Sequence, residues 1–221
     1  MPTTANAEGP RAVLWDMDGT LVDSRALHWR SWQEALASEG VRVTERDFLE
    51  TFGRRNDAIL RLWLGADATP ERVARVGDAK EVAYRRMVLD EGLEPLPGAA
   101  AWVTRLGAAG WRQAIASSAP RLNVEVVLRV LGLEPQFGAL VAAEDVRHGK
   151  PDPEVFLTAA ERLGVPPARC VVVEDAEHGI EAARRGGMKC IGVGGIRGDV
   201  TVVSLGDLPP DGFERLVKGR T

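Results

Sequence analysis

Short apolar runs alternate with longer helical patterns along most of this chain, and this alternation restricts the fold more than any other feature. Runs rich in β-branched residues occur at 12–15, 112–116, 139–142, 170–174 and 189–193, with a weaker run at 200–204. Helical patterns cover about 98–109, 120–131, 153–163 and 177–185. Strands that alternate with helices predict right-handed crossovers and a parallel sheet covered on both faces. We therefore expect an α/β fold with a doubly wound parallel sheet.

One long segment departs from the alternation. Between the first two predicted strands no further strand pattern occurs, and four helical patterns follow one another at 26–38, 45–51, 57–64 and 70–89. A run of this kind predicts an all-α helical-bundle cap domain inserted after the first strand. Pro95 and Pro97 follow the last helix, and proline disrupts a helix interior. We expect the cap to cover 24–94 and the core to cover 10–23 and 95–221.

The composition excludes several classes of protein. With 221 residues, of which 45% are hydrophobic, the chain can bury a sizeable core. The net charge is −4 and no basic stripe occurs, so we expect no nucleic-acid partner. No apolar run reaches the roughly 18 residues of a membrane span, and the first residues lack the basic and apolar regions of a signal peptide. We therefore expect a cytoplasmic protein with no membrane partner, and a monomer as the default.

Polar side chains follow four of the predicted strands, at the edge where open parallel sheets bind ligands. They are Asp16, Asp18, Ser117, Ser118, Glu144, Asp145, Lys150, Glu174 and Asp175. Carboxylates this concentrated repel one another unless a cation lies among them, and oxygen ligands select a hard ion such as Mg²⁺. The sequence therefore predicts a magnesium site at this edge. The alternative is that Asp16 and Asp18 are ordinary turn residues.

The turn after the first strand has the pattern DMDGT. Asp16 and Asp18 are two residues apart, so their side chains can point toward one site. Gly19 lets the backbone approach a ligand closely, and Thr20 can hydrogen-bond within the turn. We predict Gly19 and Thr20 as substrate contacts.

Four segments resemble, in order, the motifs of the haloacid dehalogenase superfamily, in the branch of β-phosphoglucomutase and the small-molecule phosphatases. They are DMDGTLVDS from Asp16, the serines Ser117 and Ser118, GKPDPEVF with Lys150, and VVVEDAEHGIEAA with Glu174 and Asp175. The ordered set is far more specific than a single DxD. The resemblance covers the chain from Arg11 onward and implies a Rossmann-like core with an α-helical cap.

This resemblance implies a role for the motif residues. Asp16 would be the nucleophile that forms an aspartyl-phosphate, and Asp18 would be the general acid and base. Ser117 would hold a phosphoryl oxygen, although it could instead only cap the following helix. Lys150 would neutralise charge on the phosphoryl group and on the nucleophile. An aspartate at the position of Asp18 favours phosphoryl transfer over dehalogenation.

The magnesium ion of the family implies a ligand set in this chain. Asp16 would bind through its carboxylate, Asp18 through its backbone carbonyl and Asp175 through its side chain. Glu174 would be either a further ligand or an acid that supports the other ligands.

Lysine is rare in this chain, which has 24 arginines and only four lysines. This bias favours a specific need for a compact point charge at Lys150. It also draws attention to Lys80 on the long cap helix, where similar mutases carry a substrate-facing lysine. For Lys80 a solvated position on the helix is slightly favoured. His28 and Trp32, one helical turn apart, are predicted either to line the pocket or to pack inside the cap.

The sequence of the cap loop helps to distinguish a phosphatase from a mutase. In mutases of this branch a Gly-x-x-Arg segment clamps the second phosphate of the substrate, whereas here the position three after Gly53 is Asn56. Arg54 is close but shifted, and Pro120 stands where mutases tend to have a lysine. The predicted substrate contacts are Gly19, Thr20, Ser118, His28, Arg54 and Lys80.

These departures favour a Mg²⁺-dependent phosphatase for a small phosphorylated metabolite, such as a sugar or polyol phosphate. The second hypothesis is a phosphohexomutase of the β-phosphoglucomutase type. The third is a non-catalytic module that binds a phosphoryl group.

Overall fold

The computed structural model describes residues 9–218. A six-stranded sheet lies at the centre, with β1 Ala12–Trp15, β2 Arg112–Ala116, β3 Ala139–Val141, β4 Cys170–Glu174, β5 Lys189–Gly192 and β6 Val200–Thr201. The strand order is β3-β2-β1-β4-β5-β6, and all neighbouring strands are parallel. The predicted α/β class with a doubly wound parallel sheet is therefore confirmed.

Strand β1 shows why the sheet is buried on both faces. All four of its residues are apolar and have no exposed surface. Val13 and Trp15 pack in the hydrophobic cluster on one face, whereas Ala12 and Leu14 pack in the cluster on the other. This division follows from the alternation of side chains along a strand. Because β1 pairs with β2 on one side and β4 on the other, the ends of these three strands meet at one edge.

Helices cover both faces of the sheet. They are α5 Ala99–Ala108, α6 Arg121–Leu131, α7 Glu154–Leu163, α8 Glu177–Arg185 and α9 Gly212–Lys218. Residues of α5, α6 and α9 join the cluster around Trp15, and residues of α7 and α8 join the cluster around Leu14. Over residues 9–218, no helix has both the length and the apolarity required to cross a lipid bilayer.

Four helices separate β1 from α5, namely α1 Arg25–Ala37, α2 Glu45–Thr51, α3 Asn56–Leu64 and α4 Pro70–Glu91. They share a hydrophobic cluster of their own that includes Trp32, Phe48 and Leu60. The second half of α4 differs, since Tyr84 packs in the main core. The helical character predicted for this segment is confirmed, and we retain 24–94 as the proposed extent of the cap.

The two segments that join cap and core run side by side. Val22 forms an antiparallel bridge with Pro95, and the amide of Leu96 donates to the carbonyl of Leu21 at 2.8 Å. Both connections therefore meet at one place, directly after the DMDGT turn.

The structure corrects one expectation and adds one helix at the C-terminal end of the described chain. Strand β6 ends at Thr201 and does not continue to 204, because Ser204 starts a turn in which its hydroxyl accepts the amide of Gly206 at 3.1 Å. Helix α9 was not predicted, because it begins at Gly212 directly after Pro209, Pro210 and Asp211, which are residues typical of a turn. Its Phe213 packs against Trp102 with ring centroids 5.1 Å apart, so tertiary packing stabilises this short helix.

Candidate active site

A cavity lies between the cap and the carboxyl ends of the strands. Including its opening to solvent, it encloses about 640 Å³. Its lining includes the predicted residues Asp16, Asp18, Ser117, Ser118, Glu174 and Asp175 from the core and His28, Arg54 and Lys80 from the cap. The fold thus brings together most of the predicted site residues, from segments distant in the sequence. Lys150, Gly19 and Thr20 lie outside the lining of this cavity.

A buried group of charges forms the floor of the cavity. Nζ of Lys150 lies 2.5 Å from Oδ1 of Asp16 and 2.7 Å from Oε2 of Glu174. The Lys150 side chain is only 2% exposed, and it lies directly behind the carboxylate of Asp16. Its ammonium group is therefore held as a fixed positive charge against the predicted nucleophile.

The carboxylates of the floor crowd one another. Asp16, Glu174 and Asp175 each offer an oxygen within 4.8 Å of the others. Burial and the charge of Glu174 raise the pKa of Asp16 well above its ordinary value, although Lys150 opposes this shift. Burial and Glu174 likewise raise the pKa of Asp175 to about 7. Full ionisation of this group therefore needs positive charge beyond Lys150, and an oxygen-only donor set fits a hard divalent cation such as Mg²⁺.

Two residues of the DMDGT turn pack against the carboxylate of Asp175. Gly19 has a φ of +90°, and a Cβ there would overlap with the carboxylate of Asp175. Thr20 has no exposed surface, and its hydroxyl lies 3.4 Å from Oδ1 of Asp175. Gly19 and Thr20 were predicted as substrate contacts, but neither lines the cavity because both pack against Asp175.

Glu174 has donors for both of its oxygens within the protein. Oε2 accepts from Lys150, and Oε1 accepts from the backbone amides of Asp175 and Ala176, each at 3.1 Å. The residue is 1% exposed. Of the two interpretations of Glu174, this geometry favours a support for Lys150 over a direct metal ligand.

The two serines lie in the loop between β2 and α6. Ser117 is buried, and its Oγ accepts the amide of Ala119 at 3.0 Å, which leaves its own proton free to donate. Ser118 is half-buried and lines the cavity. The alternative role of Ser117 as a simple cap of α6 is wrong, because α6 begins at Arg121 after Pro120 without a side-chain cap.

Asp18 faces the cap side of the cavity. Its Oδ1 accepts hydrogen bonds from the hydroxyl of Ser24 and from Nε2 of His28, the latter at 3.2 Å. Burial alone would raise the pKa of Asp18, but the interactions with His28, Ser24 and Lys80 outweigh burial and lower it. The two aspartates of the turn therefore have different partners, a lysine for Asp16 and a histidine for Asp18.

Lys80 is 2% exposed, so the expectation of a solvated helix lysine is wrong. Its Nζ lies 2.9 Å from Nδ1 of His28 and 2.8 Å from Oε1 of Glu81. Because an ammonium group only donates, Nδ1 of His28 accepts, and its Nε2–H is left to donate to Asp18. Burial lowers the pKa of Lys80, and burial with the charge of Lys80 lowers the pKa of His28. A chain of hydrogen bonds therefore runs from Glu81 through Lys80 and His28 to Asp18.

Glu81 and Asn56 also line the cavity, although neither was predicted as a site residue. The Glu81 carboxylate accepts hydrogen bonds from the side chains of Asn56 and of Asn123 in α6. Glu81 directly follows Lys80, but no local pattern predicts this arrangement, since adjacent residues on a helix point in different directions. Trp32 both packs in the cap and lines the cavity, so its two predicted roles coexist.

Comparison with known proteins places the chain in a family. The family model of haloacid dehalogenase-like hydrolases matches residues 10–187. Fructose-1-phosphate phosphatase YqaB of Escherichia coli is 37% identical over 188 residues, which are 82% of this chain and 95% of that protein. Hexitol phosphatase B of Escherichia coli is 36% identical over 184 residues, which are 81% of this chain and 82% of that protein.

A solved structure extends the similarity to the fold. The crystal structure of CbbY from Rhodobacter sphaeroides in complex with phosphate matches with a TM-score of 0.84 at 27% identity. The match covers 93% of this chain and 100% of that chain. The protein therefore belongs to the haloacid dehalogenase-like hydrolases, and the resemblance seen in the sequence is confirmed.

Proposed function

We propose that this protein is a Mg²⁺-dependent phosphatase that hydrolyses a sugar or polyol phosphate through an aspartyl-phosphate. The observation that carries the proposal is the position of Asp16, whose carboxylate opens on the cavity while Lys150 contacts it at 2.5 Å from behind. The family and the relatives named as phosphatases of fructose 1-phosphate and hexitol support a phosphoric monoester hydrolase.

In the first proposed step, a carboxylate oxygen of Asp16 attacks the phosphorus, and the bond from phosphorus to the ester oxygen breaks. For this step Asp18 must enter protonated, with the proton on Oδ2 because Ser24 and His28 both contact Oδ1. It donates this proton to the leaving oxygen, so the alcohol departs neutral. In the second step, Asp18 takes a proton from water while the water oxygen attacks the phosphorus. Asp16 is released as a carboxylate together with inorganic phosphate.

Attack of one anion on another requires positive charge at the phosphoryl group. Lys150 supplies one such charge, and the free hydroxyl proton of Ser117 can bond a phosphoryl oxygen. The proposed magnesium ligands are Asp16, the backbone carbonyl of Asp18 and Asp175, with Glu174 in support. When bound, the ion supplies charge stabilisation to the phosphoryl oxygens.

The cap side of the cavity suits a polar leaving group with apolar faces. Arg54, Asn56 and Glu81 present donors and acceptors, while Trp32 and Phe52 present aromatic surface. Pockets with this mixture bind polyhydroxy compounds by combining hydrogen bonds with contact against ring faces. The proposed substrate contacts at the cavity surface are Ser118, His28, Arg54 and Lys80.

The geometry of the cap loop favours a phosphatase over the phosphohexomutase alternative. Asn56, at the position of the arginine in the mutases, bonds to Glu81. Arg55 points away from the cavity toward the core, where its Nη1 lies 3.1 Å from the carbonyl oxygen of Ala143. Incubation with a hexose 1-phosphate and a bisphosphate primer distinguishes the two activities. We expect free phosphate, and accumulation of the 6-phosphate would favour the mutase.

A screen of phosphorylated metabolites in the presence of Mg²⁺, with released phosphate as the readout, tests the proposal. We expect the wild type to release phosphate from sugar or polyol phosphates. The variant Asp16→Asn is expected to lose about 10⁴-fold or more in rate, as enzymes do when a nucleophile is removed. Circular dichroism would verify that this variant is folded. Retained activity in Asp16→Asn would contradict the proposed nucleophile, and an inactive wild type would favour the non-catalytic module.

A further inference from the structure

The cap loop 53–56, which follows α2 and ends at the first residue of α3, contacts two segments of the core. Gly53, Arg54 and Asn56 line the cavity, and the Arg54 side chain is exposed. The backbone of Gly53 and the side chain of Arg55 contact two different segments of the core. The loop therefore presents two side chains to the substrate while its other two residues attach it to the core.

Arg55 extends across the domain boundary to the core loop that leads to Lys150. Its Nη1 lies 3.1 Å from the carbonyl oxygen of Ala143 and 3.2 Å from that of Val146. Its side chain also passes close to Gly149, where a Cβ would approach Cδ of Arg55 to 3.1 Å. A planar guanidinium with several N–H groups suits two carbonyl acceptors better than a lysine would.

His178, in the first turn of α8, contacts the other side of the loop. Its Nε2 lies 3.3 Å from the carbonyl oxygen of Gly53, and because a carbonyl only accepts, Nε2 carries the proton. Gly53 has a φ of +82°, and a Cβ there would meet the ring of His178 at 3.2 Å. A glycine therefore suits both the backbone conformation and the close contact at this position.

We propose that Arg55 and His178 are positioning residues that clamp loop 53–56 onto the core and so direct Arg54 and Asn56 toward the leaving group. This inference rests on the proposed phosphatase function and deepens it. The clamp contacts form only when the cap lies against the core, so the leaving group is recognised in that arrangement alone. His178 lines the cavity and Arg55 does not, so Arg55→Ala tests positioning without removing a residue of the cavity lining.

Steady-state hydrolysis of two phosphoryl donors distinguishes a role in recognising the leaving group from a general role in catalysis. One donor is a sugar or polyol phosphate, and the other is acetyl phosphate, whose leaving group is too short to reach the loop. Arg55→Ala and His178→Ala are each expected to lower kcat/KM for the sugar phosphate about tenfold or more, mainly through KM, because a hydrogen bond that orients the loop is lost. For acetyl phosphate we expect a change below about threefold.

Two further variants provide controls. Arg55→Lys keeps the charge but not the planar fork, so it should recover only part of the lost selectivity. Arg75 makes two hydrogen bonds to Glu39, of 2.8 and 3.2 Å, at the cap surface away from the cavity. Arg75→Ala should therefore leave the ratio of the two kcat/KM values unchanged.

Amide hydrogen exchange tests the clamp without any turnover. In Arg55→Ala, peptides that span 50–60 and 140–150 are expected to exchange faster than in the wild type, whereas Arg75→Ala should leave both unchanged. Unchanged exchange in Arg55→Ala, or an equal loss of activity for both donors, would overturn the clamp. A wild type that is inactive on both donors would instead overturn the proposed function, while the exchange result would still decide the clamp.

Discussion

The core side and the cap side of the cavity are held together by different interactions. On the core side, Asp16 and Ser117 directly follow strands β1 and β2, and Glu174 ends β4, so parallel pairing alone brings them together. On the cap side, His28 and Lys80 lie on different helices and meet through a side-chain contact of 2.9 Å. Backbone hydrogen bonds thus position the proposed chemistry, whereas side-chain packing positions the proposed substrate contacts. A single substitution should therefore affect selectivity more readily than the geometry of the reaction centre.

Asp18 is the residue at which the two sides meet. It belongs to the turn after β1, yet its carboxylate accepts hydrogen bonds from Ser24 and His28, at the start of the cap. Substitutions in the cap should therefore affect Asp18, the proposed acid and base, more than the other proposed catalytic residues of the core.

After loss of the nucleophile Asp16, removal of the Lys150 charge should cause the largest loss of activity on the core side. We expect Lys150→Met to lower kcat about 10³-fold, because it removes the charge at 2.5 Å from Asp16 and leaves Glu174 without its partner. Lys189→Met is the matched control, since this lysine pairs with Asp199 away from the cavity. Similar losses in both variants would indicate a general effect of removing lysines and contradict the assigned role.

The magnesium ligands should show the next largest effect. Asp175→Asn is expected to raise the Mg²⁺ concentration for half-maximal activity about tenfold to a hundredfold, and Glu174→Gln should raise it less because Glu174 is engaged by Lys150. Titration of Mg²⁺ after treatment with a chelator measures both values. A larger shift for Glu174→Gln than for Asp175→Asn would reverse the two assignments.

On the cap side, His28→Ala should have a smaller effect. It removes one donor from Asp18 but leaves Ser24 in place, so we expect a loss of about tenfold in kcat. His148→Ala, at an exposed histidine of the core, should leave kcat unchanged. A rise in KM at constant kcat would make His28 a substrate contact only and would sharpen the division between the two sides.

Predictability from the sequence follows the same division. β1, β2 and β4 end where predicted, because each apolar run stops at a polar or charged residue, and the core site residues lie at those ends. The burial of Lys80 was not predictable, since it depends on how α4 crosses α1 and α6 and not on the pattern along α4 itself. Thr20 shows the same limit, because only the fold brings Asp175 against its hydroxyl at 3.4 Å.

Mapping of the phosphorylated residue tests the central claim most directly. Turnover of acetyl phosphate with Mg²⁺ would be stopped with acid in the wild type and in Asp18→Asn, and peptides would be analysed by mass spectrometry. We predict a phosphoryl group on Asp16 in both proteins, with more of it in Asp18→Asn because that variant lacks the base that activates water. A phosphoryl group on Ser117, or phosphate release with no label on Asp16 in either protein, would contradict the account.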